Sequence, residues 1–161
     1  MEKVLVSACL MGENVRYNGI VKNFENHVIK SWNRKGQVVT ICPEVAGGLL
    51  VPRPSSEITG GDGSQVLKGY KKVINIYGQD VTEYFLKGAQ KTLELANSLR
   101  IRLAILKEGS PSCGSSYIYD GSFSNIKKPG KGVSCALLEE NGIRVFSERE
   151  IDEAEVYLKH L

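Results

Sequence analysis

Short apolar runs alternate with longer amphipathic or polar segments along this chain. The runs are rich in Val, Leu and Ile, which is typical of buried strands. They lie at residues 3–8, 37–41, 102–106 and 143–146. In the segments between them, apolar residues recur at helical spacing. The predicted helices cover residues 24–35, 133–140 and 147–161, and a fourth begins at Asp80 or Thr82 and ends near Leu99.

Strands that are apolar on both sides and alternate with helices indicate a parallel sheet that is covered on both faces. We therefore predict an α/β fold with an open, mainly parallel sheet and helices on both faces, in a Rossmann-like three-layer arrangement. The length of 161 residues suits a single α/β domain over residues 1–161. The pattern does not specify the order of the strands.

Three further segments carry weaker signals. Residues 45–63 are rich in Gly and Pro, and we expect a long functional loop there. Residues 71–77 alternate between apolar and polar side chains, which indicates an edge strand or one arm of a hairpin. Residues 117–131 are polar and contain several Gly, which predicts another loop. Asn23 is expected to cap the first helix.

Charge and hydropathy exclude several classes of protein. The formal net charge of +3 permits an anionic ligand, but the Lys and Arg residues are scattered, so we expect no nucleic-acid polymer as partner. No apolar run approaches the ~20 residues that span a bilayer, and no signal peptide is recognisable. We therefore expect a cytoplasmic protein without a membrane partner. Structural disulfides are not expected in that compartment.

Three of the four cysteines follow predicted strands. Cys9, Cys42 and Cys113 each come within a few residues of a strand end. Because the carboxyl ends of parallel strands meet at one edge of the sheet, we expect these thiols to lie close together. Cys135 lies in an apolar helix instead, and we expect it to be buried in the core.

The loop that carries Cys113 also offers polar groups. Lys107, Ser110 and Ser112 surround the thiol, and the Gly residues of the loop allow backbone N–H groups to approach an anion or a cofactor. The pair Gly47 and Gly48 has the same capacity.

These residues are compatible with several kinds of site. A zinc site is less expected, because close Cys pairs are missing and the two His residues are poorly placed. Three thiolates suit an iron–sulfur cluster with one open iron. A thiol enzyme that relies on Cys113 is a further option, weakened by the lack of a nearby His. A non-catalytic metal-binding or nucleotide-binding module remains possible as well.

Several stretches place these cysteines among Pro, Gly and acidic residues. They are Val6-Ser7-Ala8-Cys9-Leu10, Val15-Arg16-Tyr17-Asn18-Gly19, Cys42-Pro43-Glu44-Val45, Gly47-Gly48-Leu49, Pro52-Arg53-Pro54, Lys107-Glu108-Gly109-Ser110-Pro111-Ser112-Cys113-Gly114, Tyr119-Asp120-Gly121-Ser122-Phe123 and Val145-Phe146-Ser147-Glu148. Together they resemble the bacterial and archaeal domain of unknown function 523 family, whose members include thiouracil desulfidases. The resemblance extends to about Glu148. It departs at Asn18, where the family often has Asp.

The resemblance implies an enzyme that removes sulfur from a thiolated pyrimidine, of the thiouracil or thiouridine monophosphate type, and releases sulfide. It implies an oxygen-sensitive [4Fe-4S] cluster as cofactor, with Cys9, Cys42 and Cys113 as its ligands. The expected partner is a small-molecule thiolated nucleobase or nucleotide. The oligomeric state is left open, with a homodimer as one option.

The same motifs suggest roles for polar residues. Glu44, Lys107 and Ser110 are the expected catalytic set, with Glu44 as general base for a water molecule and the other two as donors to the pyrimidine ring. The expected substrate-binding residues are Arg16, Lys22, Gly47, Gly48 and Ser112.

Overall fold

The computed structural model describes residues 1–21 and 24–161, and it has the predicted α/β architecture. The strands are β1 Val4–Ser7, β2 Val38–Ile41, β3 Ser56–Thr59, β4 Lys72–Asn75, β5 Leu103–Leu106, β6 Tyr117–Tyr119, β7 Lys127–Pro129 and β8 Arg144–Ser147. The helices are α1 His27–Arg34, α2 Pro43–Ala46, α3 Gly63–Leu67, α4 Thr82–Ser98, α5 Val133–Glu140 and α6 Ile151–Lys159. A short 3₁₀ helix, Ala8–Met11, follows β1 directly.

A parallel sheet forms the centre of the molecule. Its strand order is β2-β1-β5-β8, and each neighbouring pair is parallel. Val4 is opposite Val38, Leu5 is opposite Ala104, and Ala104 is opposite Val145. The carboxyl ends of all these strands therefore lie at one edge of the sheet.

Successive residues of the central strands contact different layers of helices. Val6 and Ile105 pack in one apolar cluster with Trp32 of α1 and Ile151 of α6. Their strand neighbours, such as Leu5 and Leu106, pack in a second cluster with Leu93 of α4 and Leu138 of α5. This alternation explains why the strands are apolar throughout, and it confirms the three-layer prediction. None of the helices in residues 1–21 and 24–161 combines the length and apolar character needed to cross a membrane.

Two antiparallel strand pairs lie apart from the central sheet. In one, β3 pairs with β4, and in the other β6 pairs with β7. The prediction of long loops over residues 45–63 and 117–131 was therefore wrong at Ser56–Thr59, Tyr117–Tyr119 and Lys127–Pro129. The edge-strand prediction for residues 71–77 is confirmed by β4, in which Val73 is buried. β3 and β6 each bury a single apolar side chain, Ile58 and Ile118, so their sequences show no clear alternation.

The predicted starts of the first and last helices were also wrong. α1 is capped by the side chain of Asn26, which accepts hydrogen bonds from two backbone N–H groups of the first turn. The predicted cap, Asn23, lies outside the described residues. The terminal helix begins at Ile151 because Ser147 still belongs to β8 and pairs with Leu106.

α2 and α4 approach each other closely at two glycines. A Cβ atom added at Gly47 would overlap the backbone carbonyl of Tyr84 in α4, and one added at Gly88 would overlap the carbonyl of Pro43 in α2. Gly47 is therefore required for helix packing. The same contact positions α2, which begins directly after Cys42.

We expect Gly88→Ala to lower the free energy of unfolding by about 1–3 kcal/mol, because the added methyl group forces α2 away from α4. Chemical denaturation of this variant and of Gln90→Ala, an exposed position of the same helix, measures the effect. Gln90→Ala should be near neutral. Equal stability of the two variants would contradict the proposed packing role.

Candidate active site

The structure brings three thiols together at the carboxyl edge of the sheet. Cys9 lies in the 3₁₀ helix after β1, Cys42 precedes α2, and Cys113 lies in the loop after β5. All three line one cavity of about 580 Å³. Cys113 is buried, and the other two are half-buried. Cys135 is fully buried among apolar side chains instead, as predicted.

The three thiols are electrostatically coupled. Burial, together with the neighbouring Cys42, raises the pKa of Cys9 to about 11. Burial likewise raises the pKa of Cys42. Burial raises the pKa of Cys113 to about 12 and outweighs a hydrogen bond with Ser112 that lowers it, and Cys42 and Cys9 make smaller contributions that also raise it. Without a bound cation the three thiols thus keep their protons at neutral pH.

The donor set fits a group that is larger than a single ion. Within the described part of the chain, no three His, Cys, Asp or Glu side chains are arranged to hold one metal ion. Three thiols nevertheless surround a shared cavity, and thiolate sulfur is the ligand that iron–sulfur clusters use. Cys9, Cys42 and Cys113 could therefore hold such a cluster, whose positive irons would stabilise the thiolate forms.

Glu44 reaches the same cavity from the first turn of α2. Its carboxylate accepts hydrogen bonds from Nε of Arg53 at 3.1 Å and from Oγ of Ser112 at 2.8 Å. Oγ of Ser110 lies 3.1 Å from Oγ of Ser112 and accepts the N–H of Cys113 at 2.7 Å. Since Ser112 donates to Glu44, Ser110 donates to Ser112. A chain of hydrogen bonds thus connects the carboxylate with the backbone of the Cys113 loop.

Lys107 is held at the cavity by an ion pair. Its Nζ lies 2.8 Å from Oε2 of Glu148, which follows β8. The other oxygen of Glu148 accepts the N–H of Glu108 at 2.8 Å. The backbone N–H of Lys107 donates to Oγ of Ser7, the last residue of β1. Sequence reasoning gave Glu148 no role, although its position just after a strand of the parallel sheet was a usable signal.

The buried carboxylate of Glu108 organises the loop that carries Cys113. It accepts the N–H groups of Ser115, Ser116 and Tyr117 at 2.8, 2.9 and 3.3 Å, and also the Ser115 hydroxyl. Burial acts to raise the pKa of Glu108, but these donors prevail and lower it below the usual value for glutamate. Sequence reasoning missed this residue as well, because nothing in the sequence shows which N–H groups the loop turns inward.

Only some of the other predicted substrate-binding residues line the cavity. Arg16 and Ser112 line the cavity. Gly47 and Gly48 do not, because they lie where α2 packs against α4, so the structure does not support their predicted role in binding substrate. Lys22 lies outside the described residues. Asn18 is exposed, and its side chain accepts the N–H of Ile20 at 3.0 Å.

Arg53 has a more definite place than the sequence suggested. Its sequence motif, Pro52-Arg53-Pro54, is compatible with binding a substrate phosphate or with an ordinary surface charge. Only 6% of its side chain is exposed, and it pairs with Glu44, which is 13% exposed. Its fixed position beside Glu44 makes it part of the site.

We expect Glu108→Gln to lower the free energy of unfolding by about 2 kcal/mol at neutral pH, because an amide accepts fewer N–H bonds than a carboxylate. The lowered pKa makes this difference largest at neutral pH, and it should shrink as the pH falls through the pKa of the folded state. Denaturation at several pH values tests both statements. Glu140→Gln, at an exposed position, is the control, and a difference that is independent of pH would contradict the role of the charge.

Three comparisons place this geometry among known proteins. Residues 4–150 match the profile of the family described as 2-thiouracil desulfurase. The uncharacterized protein YbbK of Bacillus subtilis (strain 168) is 45% identical over 150 residues, which is 93% of this chain and 98% of that protein. The solved structure of TudS, described as a [4Fe-4S]-dependent thiouracil desulfidase, is similar with a TM-score of 0.92, 42% identity and coverage of 100% of both chains.

The family match includes every element that forms the cavity edge, from β1 to the residues after β8. It confirms the family resemblance that the cysteine motifs indicated. The chain therefore belongs to the 2-thiouracil desulfurase family.

Proposed function

We propose that this protein is a desulfidase that hydrolyses the C–S bond of a thiolated pyrimidine, of the thiouracil or thiouridine monophosphate type, at an iron–sulfur cluster. The observation that carries the proposal is the meeting of Cys9, Cys42 and Cys113 at one cavity, beside the carboxylate of Glu44. Family membership and the similarity to a thiouracil desulfidase support the same activity. A [4Fe-4S] cluster is the group that suits three thiolate ligands here.

The proposed reaction is a hydrolysis. The oxygen of water forms a bond to the ring carbon, the carbon–sulfur bonds break, and the two protons of water leave with the sulfur as hydrogen sulfide. No oxidant or reductant is needed. When bound, the cluster would supply a soft, open iron site that suits a thiocarbonyl sulfur and polarises the thiocarbonyl group.

Glu44 is the group that we assign as general base. Its carboxylate lies at the cavity, and the hydrogen bonds from Arg53 and Ser112 fix its orientation. A carboxylate held in this way can accept a proton from an attacking water molecule. Ser112 and Ser110 lie on the path from this carboxylate to the Cys113 loop, so their hydroxyls can pass on or return a proton.

Lys107 and Arg16 are the cations that we assign to substrate binding. Lys107 lines the cavity, and its pairing with Glu148 orients the ammonium group without using all of its three donors. It can donate to a ring nitrogen or oxygen as charge develops there. Arg16 lines the cavity on the segment after β1 and can receive an exocyclic oxygen or the phosphate of a nucleotide.

A thiol enzyme that relies on Cys113 alone is disfavoured. Burial keeps this thiol protonated at neutral pH, and no imidazole lines the cavity within the described residues to take its proton. Binding a nucleotide alone would not require three thiols in one cavity. The arrangement therefore favours the cluster-dependent enzyme.

Anaerobic treatment of the protein with iron and sulfide should produce the broad visible absorption of an iron–sulfur cluster. Cys9→Ser, Cys42→Ser and Cys113→Ser should each lose most of this absorption, because each removes one thiolate ligand. Cys135→Ala is the matched control and should retain it, since Cys135 lies in the core. A wild-type protein that binds no iron, or a Cys42→Ser variant with an undiminished spectrum, would count against the cluster.

Glu44→Gln should reduce the rate of sulfide release from 2-thiouracil by about 10²- to 10⁴-fold, because the amide cannot act as general base. The cluster absorption should be unchanged, since Glu44 is not a ligand. Sulfide and uracil are measured together, with Glu140→Gln as control. If Glu44→Gln kept nearly full activity with an intact cluster, the assignment of the base would be wrong.

A further inference from the structure

The cavity is lined in part by the hairpin that β6 and β7 form. Four of its residues, Tyr117, Tyr119, Phe123 and Asn125, line the cavity. A thiolated pyrimidine is a flat aromatic ring, and such rings bind proteins by stacking on aromatic side chains. The aromatic side chain whose faces are free is therefore the one that matters for recognition.

Tyr117 already has close neighbours on its ring. Nζ of Lys127 lies 4.5 Å from the ring centroid, and the guanidinium carbon of Arg149 lies 5.7 Å from it. The ring of Tyr119 meets Tyr117 edge-on, with centroids 6.2 Å apart. These contacts leave Tyr117 little free face for a ligand.

Phe123 differs from these tyrosines. Among the described residues, it has neither an aromatic nor a cationic partner. It is half-buried, and it is not among the members of the apolar clusters that form the core. The ring of Phe123 therefore lines the cavity without being part of the apolar core.

The backbone of Phe123 is unusual as well. Its φ of 56° lies in the left-handed region, which a bulky side chain rarely adopts. Asn125 shares this conformation, but Asn tolerates it more readily. Strained positions of this kind persist where the surrounding structure holds them, and they are found often at ligand sites.

Glu57 of β3 holds this conformation. Its Oε1 accepts the N–H of Gly121 at 2.9 Å and the N–H of Phe123 at 3.2 Å. A Cβ atom at Gly121 would lie 2.7 Å from the carbonyl oxygen of Ile58, so the hairpin tip approaches β3 as closely as glycine allows. The carboxylate of Glu57 thus connects the tip of the β6–β7 hairpin with strand β3.

We infer that Phe123 is a specificity-determining residue whose ring stacks on the pyrimidine, and that Glu57 is a positioning residue that holds this ring at the cavity. The inference rests on the proposed function, and it goes beyond that function by naming the group that recognises a flat heteroaromatic ring. It makes the β6–β7 hairpin the part that stacks on the pyrimidine ring, while Lys107 and Arg16 contact the polar atoms of the substrate.

The test compares Phe123→Leu, Phe123→Tyr, Phe123→Ala and Phe123→Gly in the cluster-loaded protein. Phe123→Leu and Phe123→Ala should bind uracil roughly tenfold more weakly and raise KM for 2-thiouracil by a similar factor, with kcat within about twofold of wild type. Phe123→Tyr should restore both values. Glu57→Gln should weaken uracil binding in the same direction, without a change in the cluster spectrum.

The pair Phe123→Gly and Phe123→Ala separates the ring from the backbone. Both variants lack the ring and should bind uracil equally weakly, but Phe123→Gly should melt at a higher temperature because glycine adopts a positive φ without strain.

Two outcomes would overturn this inference alone, and a third would overturn the proposed function. A wild-type enzyme that releases sulfide from 2-thiouracil, together with a Phe123→Leu variant of unchanged uracil affinity and KM, would overturn this inference alone. The same holds if only Tyr17→Leu, at the other aromatic position without a ring partner, lost affinity. A wild-type protein that carries a cluster but releases sulfide from neither 2-thiouracil nor thiouridine monophosphate would overturn the proposed function itself.

Discussion

The arrangement of the site depends on the hydrogen bonds that the carboxylate of Glu108 accepts. It gathers the N–H groups of Ser115, Ser116 and Tyr117 and thereby folds the loop around Cys113. The N-terminus of α5 holds the same loop from another side, because the N–H groups of Ser134 and Cys135 both donate to the carbonyl of Ser112. A loop that is hydrogen-bonded on both sides keeps Cys113 in a defined place, which suits the role that we propose for it as a cluster ligand.

Two ion pairs at the cavity are already formed within the protein. Arg53 pairs with Glu44, and Lys107 pairs with Glu148, each with side chains that are less than one quarter exposed. The side chains of such pairs are already fixed when the protein has folded. They therefore need little rearrangement when charge develops in the reaction. The thiols are the opposite case, since their pKa values are raised and three thiolates would repel one another. The two ion pairs are thus in place before substrate binds. The three thiols, in contrast, need a bound cationic group to become thiolates.

The sequence predicted the parts of the structure that follow from local patterns and from topology. Continuous apolar runs led to the parallel strands, and the rule that their carboxyl ends share an edge led to the meeting of Cys9, Cys42 and Cys113. What escaped prediction depends on contacts between distant segments. The pairing of β3 with β4 rests on few buried side chains, and the role of Glu108 depends on backbone N–H groups that any residue could supply. Gly47 suggested an anion site, whereas the backbone of α4 is what requires it.

The strand pairing and the polar contacts that the sequence did not predict have one physical origin. It separates the central sheet from the strands around it. The parallel sheet is stabilised by its own apolar pattern, so its edge can carry thiols and a catalytic carboxylate at positions that a sequence reveals. The outer strands β3, β4 and β6 share an apolar cluster through Ile58, Val73 and Ile118. The tip that carries Phe123 is instead held by polar contacts with Glu57, and these contacts leave almost no pattern in the sequence. A surface built in that way can change its side chains without disturbing the sheet. It follows that the central sheet sets the positions of the three thiols and Glu44, while the β6–β7 hairpin sets the position of the ring that we propose for substrate recognition.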